Sequence, residues 1–216
     1  MRSADDAAYF AALAERIAVA APNGELKLVG FSLGAHAALQ VAPHLGGRVV
    51  QIDLVSPAAP LQLGDFLGGM AGAPVFRAAM AGRLPFAALT AVQAQVARFA
   101  PRKLAAALMA KAKGADRALA GDPQFIGALA ASLRTSLIDQ RAAYAAEIRA
   151  YVGDWRADLA RVRQPVAIWQ GDEDDWTPPA MARALAEALP ERPPITMHAG
   201  LSHFATLRHY LANLPG

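Results

Sequence analysis

Leu28-Val29-Gly30-Phe31-Ser32-Leu33-Gly34-Ala35 joins two different residue patterns. Before it, residues 25–31 (ELKLVGF) form a short apolar run of the kind that makes a buried strand; after it, residues 33–41 carry helical spacing. A serine at such a junction sits on a sharp strand-to-helix turn, where a strained backbone pushes its hydroxyl outward. Bulky neighbours two residues away would clash in that turn, so Gly30 and Gly34 flank Ser32. The N–H of Leu33, at the start of the following helix, points toward a developing oxyanion, and the helix N-terminus adds a favourable dipole. A lone G-x-S-x-G is a moderately specific signal, because serine and glycine are common. Its position between a strand and a helix is what gives it weight.

Outward from this turn, the chain alternates strands and helices. Residues 4–20 read as a helix, with Phe10, Leu13 and Ile17 on one face, Ser3 as its cap and Pro22-Asn23-Gly24 as its end. The helix after Ser32 is expected to close at Pro43 and Gly46-Gly47. Residues 48–55 (RVVQIDLV) form a second strand that stops at Ser56-Pro57. After Gln164-Pro165, strand signals return at 166–170 (VAIWQ), followed by a loop at 171–179, a helix at 180–189, a strand at 195–198, a loop at 199–203 and a last helix to about 211. Between these two halves, glycine and proline dominate 57–85, and Ala-rich helical segments run to about 160 with no strand-like run. The expected architecture is α/β: a parallel sheet of about four core strands with right-handed crossovers. Residues 1–57 and 165–216 make the core, and 58–164 an inserted α-helical cap.

In open parallel sheets, functional groups collect at the carboxyl ends of the strands. That rule selects Ser32, the loop 171–178 and the loop 199–203, which hold a serine, several acids and a histidine. A serine hydroxyl is a weak nucleophile; it needs a base within hydrogen-bond reach and an acid to orient that base. Of the five histidines, His36 lies on the helix after the turn, His44 ends that helix, His198 falls in the last strand and His209 on the terminal helix. Only His203 lies in a loop after the last strand. Asp172, Asp174 and Asp175 share the acid loop, and Asp53 reads as a structural strand residue.

The residues just quoted resemble the α/β-hydrolase superfamily. Leu28 to Ala35 looks like its nucleophile elbow. Gly171-Asp172-Glu173-Asp174-Asp175-Trp176-Thr177-Pro178 looks like its acid loop, where the acid stands three places after a glycine; the resemblance thus makes Asp174 the acid. Gly200-Leu201-Ser202-His203-Phe204 looks like its histidine loop, which makes His203 the base. The order Ser, Asp, His is also the superfamily's, and the separations of 142 and 29 residues leave room for a helical lid. Asp172 and Asp175 are then expected to be solvated or turn-stabilising. Phe31, Leu33 and Trp176 are candidates to line an acyl pocket, with ordinary packing as the competing reading. Phe66, Met70, Phe76, Met80, Phe86, Phe99 and Met109 either shelter an apolar substrate or pack helices together, the second being the commoner use of such residues.

One part of the family pattern has no match. Its earlier strands and a His-Gly loop that donates a second oxyanion N–H are missing; His44-Leu45-Gly46-Gly47 looks similar but follows the elbow. By resemblance the four strands are the last four of the family's sheet, so 26–31 would present an exposed apolar edge. A fragment or mis-started frame, a covering partner chain in a homo-oligomer, or shielding by the 4–20 helix would each account for it. One oxyanion donor contributes about 10²–10³ in rate, so its loss would slow the enzyme.

Composition narrows the remaining choices. With 216 residues, 55% hydrophobic and 18% charged, one domain with a sizeable core is expected. The absence of cysteine excludes disulfides, thiolate zinc sites and a cysteine nucleophile, and fits a cytoplasmic location. Asp5, Asp6, Glu15 and Arg16 interrupt any signal-peptide core, and no stretch reads as a stable membrane insertion. The net charge of +3 is spread out, which argues against nucleic acid as a partner. No metal or cofactor is implied, because His and acid residues do not cluster at ligand spacings outside 172–175. The expectation is a serine hydrolase acting on a small-molecule ester or thioester through Ser32, His203 and Asp174, with Leu33 at the oxyanion. Carbon–carbon hydrolysis and perhydrolysis stay open. A truncated or degenerate module that only binds is the alternative, and a membrane-surface or acyl-chain binder using the basic helices of 98–117 is a third.

Overall fold

The structure, a computed structural model, describes residues 4–214, with side chains from Ala7 onward. The cap assigned to Ser3 lies outside the described residues. Four parallel strands, β1 (Leu26–Phe31), β2 (Val49–Val55), β3 (Val166–Gly171) and β4 (Ile195–His198), lie side by side in chain order. Parallel neighbours need crossovers. Helix α2 (Gly34–Leu45) joins β1 to β2, and α9 (Pro179–Ala188) joins β3 to β4. The β2–β3 crossover is long and carries α3 (Ala73–Ala81), α4 (Arg83–Phe99), α5 (Pro101–Met109), α6 (Asp116–Ala120), α7 (Pro123–Arg134) and α8 (Arg141–Val152). No strand interrupts it among the described residues.

Strand alternation puts the two faces of β2 to different uses. Ile52 and Leu54, both fully buried, enter one core with Leu39 of α2, Ile168 of β3 and Leu185 of α9. Burying each such side chain contributes about 1.5–3 kcal/mol. Asp53, on the other face, accepts a 2.7 Å hydrogen bond from Tyr210 of α10 (His203–Ala212). Lys27 of β1 closes a 2.6 Å ion pair on the same carboxylate, so Asp53 is a satisfied structural residue.

Pro43 does not end the helix after Ser32. Helix α2 runs through it to Leu45 and stops at Gly46, whose φ is +59°. Buried Ala42 and Leu45 hold that last turn against the core, and Gln164 Nε2 donates to the Ala42 and Gly46 carbonyls at 3.2 Å each. Tertiary packing thus outweighs the proline's local cost.

Helix α1 (Ala4–Ala20) packs its Phe10 on α2, with the ring 5.1 Å from that of His36. It does not pair with the outer edge of β1, which has no neighbouring strand among the described residues. Val29 there is 45% exposed. Of the three explanations offered for that edge, shielding by the first helix is the one the packing disfavours: α1 makes its main contacts with α2.

The inserted helices are anchored twice. Tyr151 of α8 donates to the Ala59 carbonyl at 3.0 Å, in the segment after β2, and Trp155, just after α8, lies tilted against His36 of α2 with ring centroids 4.5 Å apart. A second cluster, including Met109, Leu119, Ile126 and Ala205, joins α5, α6 and α7 to α10. Of the apolar residues singled out in the insertion, Phe66, Phe86 and Met109 are buried in packing, whereas Phe99 and Met80 are exposed.

Candidate active site

Ser32 occupies the turn between β1 and α2 with φ +55°, the left-handed region that costs a non-glycine residue about 1–3 kcal/mol. Three backbone hydrogen bonds hold it there. Its N–H donates to Val55 at 3.0 Å, and its carbonyl accepts from Ala35 at 3.1 Å and Ala58 at 3.0 Å. Gly30 is needed sterically: a Cβ there would lie 2.7 Å from Ala35 Cα and 2.8 Å from the Gly34 carbonyl. Gly34 is not, because a Cβ there meets nothing within 4 Å. The symmetry suggested by the pentapeptide is thus broken by α2, which turns back over residue 30 and leaves residue 34 facing open space. The Leu33 N–H has no protein acceptor among the described residues.

The acid loop and the histidine loop meet at the carboxyl end of β3. A Cβ on Gly171 would overlap the Leu201 carbonyl, so the two loops pack backbone to backbone. Asp174, only 4% exposed, is held from several sides. Its Oδ1 accepts the N–H groups of Trp176 and Thr177 at 2.9 Å each. Its Oδ2 accepts from Thr177 Oγ1 at 3.1 Å and lies 2.9 Å from His203 Nδ1. Burial pushes the Asp174 carboxyl up, but the charge of His203 and its hydrogen bond, with the Thr177 N–H, outweigh it and hold the carboxyl below its ordinary value.

A histidine nitrogen facing a carboxylate carries the proton, so Nδ1 is the protonated position and Nε2 is free to act as base. His203 is 2% exposed and boxed by aromatic rings: Phe31 at 4.6 Å, Trp176 stacked at 5.7 Å and Phe204 at 5.2 Å. The Phe31 contact ties it to the residue beside Ser32. No hydrogen bond joins Ser32 Oγ to His203 among the described residues.

The other candidates fall away from this centre. Asp172 accepts the Gly200 N–H at 2.7 Å, bridging the two loops as a turn-stabilising acid. Asp175 pairs with Lys113 at 3.7 Å, and burial raises its carboxyl against the pull of that lysine. His36 is packed between Phe10 and Trp155, and His44 is exposed at the end of α2. His198 and His209 lie 4.7 Å apart, with His198 stacked on Trp169; burial, and then His209, lower the His198 imidazole. No three His, Asp or Glu side chains gather as a metal cluster among the described residues. Among the described residues, no helix is long and apolar enough to cross a membrane.

A cavity of about 150 Å³ opens at Ser32 under α3 and α8, lined by Leu33, Met70, Val75, Phe76, Tyr144, Ile148 and Trp176 among others. Burial pushes the Tyr144 phenol up to about 12, so it stays neutral. Leu33 and Trp176 therefore line the pocket, as does Met70 and Phe76 of the insertion. Phe31 does not, because its ring turns toward His203 and Phe204 instead. Thr177 and Ser56 were missed by motif reasoning. Thr177 lies inside the acid loop, and its single hydroxyl proton is shared between Asp174 Oδ2 and the Ser56 carbonyl, 2.9 Å away, while its oxygen lies 3.2 Å from His203 Nδ1. Ser56, at the end of β2, is fully buried with φ +45°.

The family model for serine aminopeptidase, S33, matches residues 2–212. Among solved structures, a hydrolase from Oleispira antarctica, olei00960, superposes with a TM-score of 0.60 at 19% identity, covering 98% of this chain and 75% of that one. A thermophilic esterase from Thermogutta terrifontis gives 0.58 at 20% identity, with coverages of 94% and 72%. The esterase RhEst1 from Rhodococcus sp. ECU1013 gives 0.57 at 18% identity, with coverages of 98% and 74%. At these identities the likeness is one of fold. A comparison with curated proteins returned no match.

Proposed function

The chain belongs to the serine aminopeptidase family S33 and has the α/β-hydrolase fold, and from that premise we propose that it cleaves an ester or thioester through an acyl-enzyme on Ser32. The observation that carries this reading is the buried His203–Asp174 pair at 2.9 Å, on the same sheet rim as a serine held at φ +55°. In the reaction, His203 Nε2 takes the Ser32 proton as the hydroxyl attacks the carbonyl carbon. Asp174 keeps the imidazole in the required tautomer and stabilises its positive charge. The Leu33 N–H donates to the oxyanion. The tetrahedral adduct collapses as His203 returns the proton to the leaving alcohol or thiol. Water, deprotonated by His203, then releases the acid and restores Ser32.

The pocket supports a substrate class. A leaving group must lie beside His203 to receive its proton, whereas the cavity extends from Ser32 and Leu33 under the inserted helices, which act as a cap. It therefore takes the acyl part. An apolar cavity of about 150 Å³ holds a benzene-sized group. None of the residues lining it is charged, so nothing there pairs with the ammonium of a peptide N-terminus. A neutral, short or benzoyl-sized acyl group fits better than an aminoacyl one. The cysteine-free chain suits a cytoplasmic setting.

The test is labelling with a fluorophosphonate probe, together with turnover of a p-nitrophenyl ester series. Wild-type protein should label and turn over, and Ser32→Ala should do neither. An unlabelled wild type with no ester turnover would overturn the reading in favour of a module that only binds.

A further inference from the structure

Asp116 is 1% exposed at the first position of α6, in the insertion, yet its carboxylate serves another helix. It accepts the N–H of Ala205 at 2.7 Å and of Phe204 at 3.1 Å. Those are the second and third residues of α10, whose first residue is His203. They are the amides that a helix's own cap residue normally satisfies. Ser202 stands at that cap position and makes no side-chain cap bond to α10. Its hydroxyl instead accepts the Asp116 N–H at 2.9 Å and donates to the Lys113 carbonyl at 3.0 Å. The two helices have exchanged caps between the insertion and the sheet domain.

The same loop grips the acid side. Gly114, at φ +48°, is pressed so closely on Glu173 that a Cβ would overlap its carboxylate, and Lys113 reaches Asp175 at 3.7 Å. Residues 113–116 therefore contact both neighbours of Asp174 and both neighbours of His203. A buried carboxylate at the positive end of α10 is also favoured by the helix dipole.

We propose that Asp116 is a positioning residue for His203: by capping α10 from the insertion, it sets where the imidazole stands against Asp174 and Ser32, so that seating of the inserted helices and alignment of the base are one event. This rests on the triad reading above. The His203 ring is tethered at Nδ1, but its Nε2 direction follows the first turn of α10, and misplacement of a catalytic group by about 1 Å can cost about 10²-fold in rate.

The experiment counts active sites first, by fluorophosphonate labelling at completion, and then measures kcat and KM per titrated site with p-nitrophenyl butyrate. Asp116→Ala should lower kcat per site by about 10²-fold with KM changed less than about twofold, and should slow labelling in proportion. Asp116→Asn, which keeps one acceptor oxygen, should recover part of the loss. A wild-type kcat per site in Asp116→Ala, with only the melting temperature lowered, would overturn the proposal and leave Asp116 a simple staple. Should Asp116→Ala fail to fold, Ser202→Ala removes the reciprocal half alone; a several-fold drop in kcat per site is expected, and an unchanged kcat would overturn the proposal. Failure of the triad reading looks different, since the wild type itself would then not label.

Discussion

The two glycines around Ser32 look equivalent in the sequence and should behave oppositely when mutated. In Gly30→Ala the new Cβ would stand 2.7 Å from Ala35 Cα, 2.8 Å from the Gly34 carbonyl and 2.9 Å from Ala35 N. All three are backbone atoms, so no side chain can swing away, and the turn itself must open. Overpacking of this kind costs about 1–3 kcal/mol. For a chain of this length each kcal/mol moves the melting midpoint about 2–4 °C, so a fall of about 2–12 °C is expected. The shift also displaces Ser32 and the Leu33 N–H, and labelling by the fluorophosphonate should slow. Gly34→Ala meets nothing within 4 Å and sits at the first position of α2, where alanine is the better helix former. Its midpoint should stay level or rise by the equivalent of up to about 1 kcal/mol. Calorimetric unfolding of the two variants beside wild type decides the matter. Equal midpoints, or a Gly30→Ala midpoint at the wild-type value, would refute the steric account of the turn.

Three other outcomes follow from the same geometry. Because the Asp174 carboxyl lies below its ordinary value of 3.8, its ionised form adds stability above about pH 4 that is lost as pH falls through the depressed folded value; Asp174→Asn should flatten that part of an acid-unfolding curve, and an unchanged acid limb would contradict it. Val75→Phe should fill the acyl pocket, cutting kcat/KM for hexanoyl and benzoyl esters while sparing acetyl ones; in the wild type each methylene that still fits should add up to about fourfold, from about 0.8 kcal/mol of burial. Chain-length profiles that coincide in the two proteins would place the acyl group elsewhere. Tyr210→Phe leaves Asp53 short of a 2.7 Å donor and should lower stability by about 1.5–3 kcal/mol in urea unfolding, and a midpoint unmoved by the change would show that solvent replaces the phenol.

What could be read from the residues alone was local. The strand-to-helix switch at Ser32 and the apolar runs of the four strands are each set within a few residues, by turn chemistry and apolar periodicity, and they carried the parallel sheet and its four strands; Asp174 was singled out from its loop neighbours only by resemblance to a known family. What needed the folded chain was every contact between distant segments. Helix α2 passes through Pro43 because Gln164 and the core hold its last turn. Gly30 is crowded and Gly34 is free because α2 folds back over only one of them. Phe31 faces His203 rather than the pocket because the histidine loop arrives on its side. Thr177 joins Ser56 to the Asp174–His203 pair, and Asp116 caps a helix 88 residues further on. Periodicity reports which way a side chain faces relative to its own element; which partner waits there is decided only when the elements pack.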